Sequence, residues 1–127
     1  MKKYILYAED DHDDFEILKN VLEEVNQDVA LVQVSNGNDV IKYLQQLAPS
    51  QYPSVILMDM NMPILNGKET LKLLKTDDHF KSIPVKMFST ATSPTDEKLI
   101  EQTGSQVIKK PAMYSDWIAI ASELAKY

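Results

Sequence analysis

Five short apolar runs, each followed by a stretch of helical periodicity, limit the fold of this 127-residue chain more tightly than any other feature. The runs fall at 4–8, 31–34, 54–58, 85–88 and 106–108, each about the length of a strand. Between them, apolar residues recur every three or four positions. Phe15, Leu18, Leu22 and Val25 make one face, and Val40, Leu44 and Leu47 a second. Leu71 with Leu74 makes a third, and Leu99 with Ile100 a weaker fourth, entered at Ser93-Pro94, a cap residue followed by a first-turn proline. Trp117, Ile120, Ala121 and Leu124 make the last. The first and third runs are continuously apolar rather than alternating, the pattern of strands covered on both faces of a parallel sheet. The expected fold is a doubly wound α/β domain with five parallel strands and five helices. Pro49, Pro53, Asn66-Gly67 and Gly104 punctuate its loops, and no repeat or low-complexity tract interrupts it, so one domain is expected over 1–127.

Composition narrows the function. Hydrophobic residues make up 44% of the chain, enough to bury a core without covalent staples. There is no cysteine, which excludes disulfides and thiolate zinc sites and fits a reducing compartment. The start, Met1-Lys2-Lys3-Tyr4-Ile5-Leu6-Tyr7-Ala8-Glu9-Asp10, has a basic opening, but its apolar run is five residues and ends in acid. That is too short for a secretory signal, and no stretch approaches the ~18–20 apolar residues of a membrane span. A cytoplasmic location without membrane contact is expected. Nineteen acidic residues against 13 basic give a net charge of -6, which disfavours direct nucleic-acid binding.

Ligands of doubly wound folds bind beyond the carboxyl ends of the strands. After the first run stand Glu9, Asp10 and Asp11, with Asp13 and Asp14 close behind; after the third stands Asp59, then Met60-Asn61-Met62-Pro63. Ser89, Thr90, Ala91 and Thr92 follow the fourth, and Lys109, Lys110 and Pro111 the fifth. In a parallel sheet all four groups meet at one edge. Two carboxylates ~4 Å apart repel by about 4 kcal/mol at an effective dielectric near 20, so the edge requires a cation or a proton. Carboxylates with backbone carbonyls suit a hard divalent ion such as magnesium. A carboxylate beside such an ion, with a hydroxyl and an ammonium nearby, is equipped for phosphoryl transfer. Each group alone has a plainer role: acids after a strand cap the next helix, Asp-x-Asn-x-Pro makes a turn, Ser/Thr before Pro94 caps a helix, and Lys-Pro sits in solvent. Their joint placement at four strand ends favours a site.

With these residues in place, the sequence resembles the receiver domain of two-component response regulators over essentially its whole length. The resemblance implies a flavodoxin-like sheet of order 2-1-3-4-5. Glu9 and Asp10 match the paired acids, the second implied as a direct metal ligand and the first as acting through water. Asp59 matches the phosphoacceptor, and the backbone carbonyl of Asn61 a further ligand of Mg2+ or Mn2+. Ser89 matches the hydroxyl that engages the phosphoryl group, and Lys110 the lysine before proline, with a cis peptide to Pro111. The implied partners are a sensor histidine kinase or phosphotransfer protein upstream and an unidentified protein downstream; a homodimer is left open. The chain is expected to be a stand-alone receiver with no output domain after Tyr127, a type implied not to be an enzyme beyond its own phosphorylation and dephosphorylation. A long third helix and loop over 67–83 resembles the subgroup paired with phytochrome-like and other sensor kinases.

Two positions depart from the family pattern. Val107 stands where an aromatic switch residue is common, three before Lys110, and Ser89 stands where threonine is commoner. Other classes fit less well. A phosphatase of the haloacid dehalogenase type wants Asp-x-Asp after its first strand, whereas Glu9-Asp10-Asp11 lacks that spacing and Asp59-Met60-Asn61 has Asn in the acid's place. A degenerate receiver serving only as an interaction module would not need every key position filled. His12 and His79 read as solvated surface, and the six methionines as core and interface.

Overall fold

Strand β1 (Lys3–Ala8) is buried at every position after Lys3, and the rest of the sheet is assembled around it. The computed structural model describes residues 3–60, 62, 64–89 and 93–127. Helix α1 (His12–Val25) leads to β2 (Val29–Val34), α2 (Gly37–Gln45) and a short 3-10 turn (Pro49–Gln51). Then come β3 (Val55–Asp59), α3 (Gly67–Thr76), β4 (Val85–Ser89), α4 (Pro94–Gln102), β5 (Gln106–Lys109) and α5 (Tyr114–Leu124). The five strands are parallel in the order β2-β1-β3-β4-β5, the doubly wound architecture expected.

Successive strand side chains point to opposite faces, and both faces here are apolar. Ile5, Tyr7, Val55, Leu57 and Phe88 pack with Leu18 and Leu22 of α1 and with Trp117, Ala121 and Leu124 of α5. Tyr4, Leu6, Ala8, Ile56, Met58 and Met87 pack with Val40 and Leu44 of α2, Leu71 and Leu74 of α3 and Ile100 of α4. This explains the unbroken apolar runs. Each large side chain so buried contributes about 1.5–3 kcal/mol of transfer free energy. Lys86 is the charged exception on β4. It lies buried against Gln106 and Glu123, with its ammonium 5.1 Å from the Tyr127 ring centroid.

Helices α1 to α4 start where side-chain oxygens accept otherwise unpaired backbone N–H groups. Asp11 accepts from Asp13 and Asp14, Asn36 from Asp39, Asn66 from Glu69, and Ser93 from Asp96 with Pro94 in the first turn. Gly104, at φ 81, takes the left-handed conformation that ends α4. Several expected limits shift. β2 begins at Val29, and β3, β4 and β5 run on to Asp59, Ser89 and Lys109, because ladder bonds continue past the last apolar residue. Helix α3 is not long: it has ten residues, and turns around Phe80 and Ile83 complete the segment before β4. Val25, the last residue of α1, is exposed rather than part of its packed face.

Candidate functional site

The register of the sheet sets the site. Pairing Ala8 with Met58, Asp59 with Phe88 and Ser89 with Lys109 brings four strand ends to one level. Glu9, Asp59 and Ser89 are all buried there. The Lys110 ammonium lies 2.8 Å from Glu9 Oε2, 2.8 Å from Asp14 Oδ2 and 2.9 Å from Asp59 Oδ2. The Lys110 N–H donates to the Ser89 carbonyl at 2.8 Å, locking the lysine's backbone to the end of β4. The Met60 N–H donates to the Phe88 carbonyl at 2.9 Å, which holds the residue after Asp59 against the same strand.

Glu9 is fixed from several sides. Its Oε1 accepts from the Asp11 N–H at 3.1 Å and its Oε2 lies 3.4 Å from the Tyr7 hydroxyl. The Gln33 side chain donates to its carbonyl at 2.8 Å. Burial raises the Glu9 carboxyl from an ordinary 4.5 to about 7, with Asp59 adding to the rise and the Lys110 ammonium opposing it. Burial would lower the Lys110 ammonium, but hydrogen bonds to Asp14, Glu9 and Asp59 outweigh it and hold the group well above the usual lysine range. The same burial lifts the Tyr7 hydroxyl far above its ordinary value, with Glu9, Asp14 and Asp59 nearby adding to it.

Of the residues singled out in the sequence, the structure joins Glu9, Asp59 and Lys110 through side chains, and Ser89 to Lys110 through the backbone. Asp10 is exposed next to Glu9 and takes no part in the ion pairs of the described residues. Asn61 lies outside the described residues. The Lys110–Pro111 peptide is trans, not cis as the resemblance implied, in line with the ordinary preference of X–Pro bonds. Val107 is half-buried against the α2–α3–α4 side of the sheet. His12 and His79 are exposed, beside Glu16 and Asp77. Asp14 was missed. Its place in the first turn of α1 reads as helix-dipole compensation, and only the tertiary fold carries it to Lys110.

Chemically, the edge is an all-oxygen anionic cluster held by one ammonium. Carboxylate oxygen is the donor a hard divalent ion takes, so the donor chemistry fits magnesium or manganese. Among the described residues, however, no three acidic or histidine side chains already converge as a ligand set. Lys110 is the cation that joins Glu9, Asp14 and Asp59 here.

The response regulator receiver domain model matches residues 5–121. The chain belongs to that family. The receiver is similar to the polar-differentiation response regulator DivK of Brucella anthropi, with 30% identity over 112 residues, 87% of this chain and 86% of DivK. It is 32% identical to response regulator Rcp1 of Synechocystis sp. over 97 residues, 74% of this chain and 66% of Rcp1. It also matches 12% of the CAI-1 autoinducer sensor kinase/phosphatase CqsS of Vibrio cholerae, at 32% identity over 88 residues. Among solved structures, the phosphorylated cyanobacterial phytochrome response regulator RcpA superimposes with a TM-score of 0.86 at 27% identity, covering 99% of this chain and 93% of RcpA. The Mn(2+)-bound form of Rcp1 gives 0.83 at 25%, covering 98% and 93%. The receiver fold and its place in two-component signalling are thus shared with these proteins. Among the described residues no helix is long and apolar enough to cross a membrane.

Proposed function

We propose that this receiver, acting as one domain over 1–127, accepts a phosphoryl group on Asp59 from a phosphohistidine of a sensor histidine kinase or phosphotransfer protein, and signals to a downstream protein in the cytoplasm. The observation that carries the reading is the buried Asp59 carboxylate, set 2.9 Å from the Lys110 ammonium at the end of β3. An Asp59 Oδ attacks phosphorus, the P–O bond forms as the P–N bond breaks, and the imidazole nitrogen keeps the electron pair and takes a proton from solvent. Lys110 offsets the charge that gathers on the transferring oxygens, and the Ser89 hydroxyl engages one of them. Glu9, Asp10, Asp59 and the Asn61 carbonyl are the residues that would hold Mg2+ or Mn2+; such an ion supplies charge neutralisation for phosphoryl transfer. The manganese named in the Rcp1 structure and the phosphorylated state named for RcpA support both parts of the proposal. The phytochrome named for RcpA favours a light-sensing or other sensor kinase as the donor.

The test is intact-mass measurement after incubation with a small phosphodonor and magnesium. One phosphate is expected on the native chain, and none on Asp59→Asn or in the presence of chelator. Equal labelling of Asp59→Asn would overturn the assignment.

A further inference from the structure

Away from the strand ends, α3 and α4 leave an open groove of about 470 Å³ between them. Leu71 and Ile100 form its buried floor, and Leu99, 50% exposed, stands on its α4 wall. Lys68, Lys72 and Lys75 also line it, spaced four and three apart, so that they follow one another along a single face of α3. The lining holds one acid, Glu69. On a chain of net charge -6, this is a local reversal of sign laid beside an apolar strip.

The three lysines are not equivalent. Lys75 is turned inward, donating to the Ile83 carbonyl at 3.0 Å, and burial lowers its ammonium from the ordinary value. Lys68 reaches across the end of the groove to Asp96 of α4 at 2.9 Å, an exposed pair that water and salt readily exchange. Lys72 is exposed. A carboxylate arriving at the groove therefore meets Lys72 directly and competes with Asp96 for Lys68.

We infer that the α3–α4 groove is a docking site for an acidic amphipathic helical segment of a partner protein, seated with its apolar side on Leu99 and the aliphatic stems of Lys68 and Lys72 and its carboxylates on the ammonium groups of Lys72 and Lys68. The charge complementarity selects an acidic partner, and an apolar strip flanked by lysines at helical spacing is the counterpart of a helix laid in a groove. The volume accommodates a few side chains, which suits a weak, exchangeable contact. The groove lies away from Asp59, and the unphosphorylated chain already presents it.

The probe is a fluorescein-labelled, helix-forming peptide with leucines on one face flanked by glutamates spaced four and three apart, titrated by anisotropy into the full unphosphorylated chain. A scrambled peptide of the same composition serves as control. Saturable binding is expected, weakening as salt rises, with amide shifts confined to residues 68–76 and 99–103. Lys72→Glu should weaken it about tenfold or more, Lys19→Glu on α1 should leave it unchanged, and Asp96→Asn should tighten it two- to fivefold by releasing Lys68. The last result separates docking from mere structural damage, since loss of the Lys68–Asp96 pair can only loosen α4. Equal binding of the scrambled peptide, shifts elsewhere, or indifference to Lys72→Glu would overturn the inference. So would a chain dimer in sedimentation that Lys72→Glu dissociates, because it would assign the groove to self-association.

Discussion

Phe88 and Trp117 meet edge to face, with ring centroids 5.8 Å apart and planes at 88°. On its other side Phe88 meets Tyr7 at 5.9 Å, and the Tyr7 hydroxyl faces Glu9. Phe88 also precedes Ser89 and accepts the Met60 N–H, so it is tied to both sides of the site. With Val107 lacking a ring to rotate, this ring contact is a direct packing link from the phosphoacceptor edge to α5. A phosphoryl mimic on Asp59 should therefore change the emission of Trp117, the chain's single tryptophan, and shift amides across 93–104 and 107–117. Phe88→Leu should diminish the Trp117 response at least twofold, while Val107→Tyr should alter it only modestly. A mimic that perturbs only residues lining the site, or mainly α1, would contradict this route.

Lys110→Met removes the one ammonium among three carboxylates. With the Lys110 side chain 14% exposed and that of Glu9 1% exposed, the repulsion is poorly screened by solvent. A stability loss of about 2–4 kcal/mol is expected in urea melts at neutral pH. Millimolar magnesium should restore part of it, because a divalent ion can take over the neutralising role. A variant as stable as the native chain would show that the cluster is not electrostatically strained.

Glu9 carries a pH signature. Its carboxyl is raised in the fold from 4.5 to about 7, so between those values the native state holds more proton than the unfolded chain. The contribution of Glu9 is complete below pH ~4.5 and is lost as pH rises through ~7. In chelator, the stability difference between native chain and Glu9→Gln should move by roughly 2–3 kcal/mol against the native chain over this window. A pH-independent difference would remove the raised carboxyl. Above that window, a magnesium titration should show the larger affinity loss for Asp10→Asn and the smaller for Glu9→Gln, as a direct ligand loses more than a water-linked one. The reverse order would make Glu9 the direct ligand.

Gly67 presses on the phosphoacceptor strand. A Cβ there would lie 2.5 Å from the Asp59 carbonyl oxygen and 2.7 Å from Met87 Cε. The methionine can yield, but the backbone of Asp59 cannot without shifting the site. Gly67→Ala should cost about 1–3 kcal/mol and slow phosphodonor labelling at least tenfold, measured on folded protein. Labelling at the native rate would mean that the Asp59 backbone tolerates displacement.

Much of this was readable along the chain. Periodicity separates strands from helices because a residue's neighbours on one face recur at fixed intervals, and unbroken apolar runs mark strands covered twice. The capping roles of Asn66 and Ser93 are local chemistry, satisfied within three residues. Glu9, Asp59, Ser89 and Lys110 could be placed at one edge because parallel strands share their carboxyl ends. Which strand lies beside which is not periodic information, and the order 2-1-3-4-5 came from resemblance before the ladder confirmed it. The tertiary structure alone decided the contacts that depend on packing between distant segments. It brought Asp14 to Lys110, 96 positions on, and closed Glu9 off from water, which sets its proton affinity. It also buried Lys86 beneath the end of α5, where its partners Gln106 and Glu123 come from different elements. Local rules see only the polarity of such side chains; burial and charge pairing are properties of the assembled core.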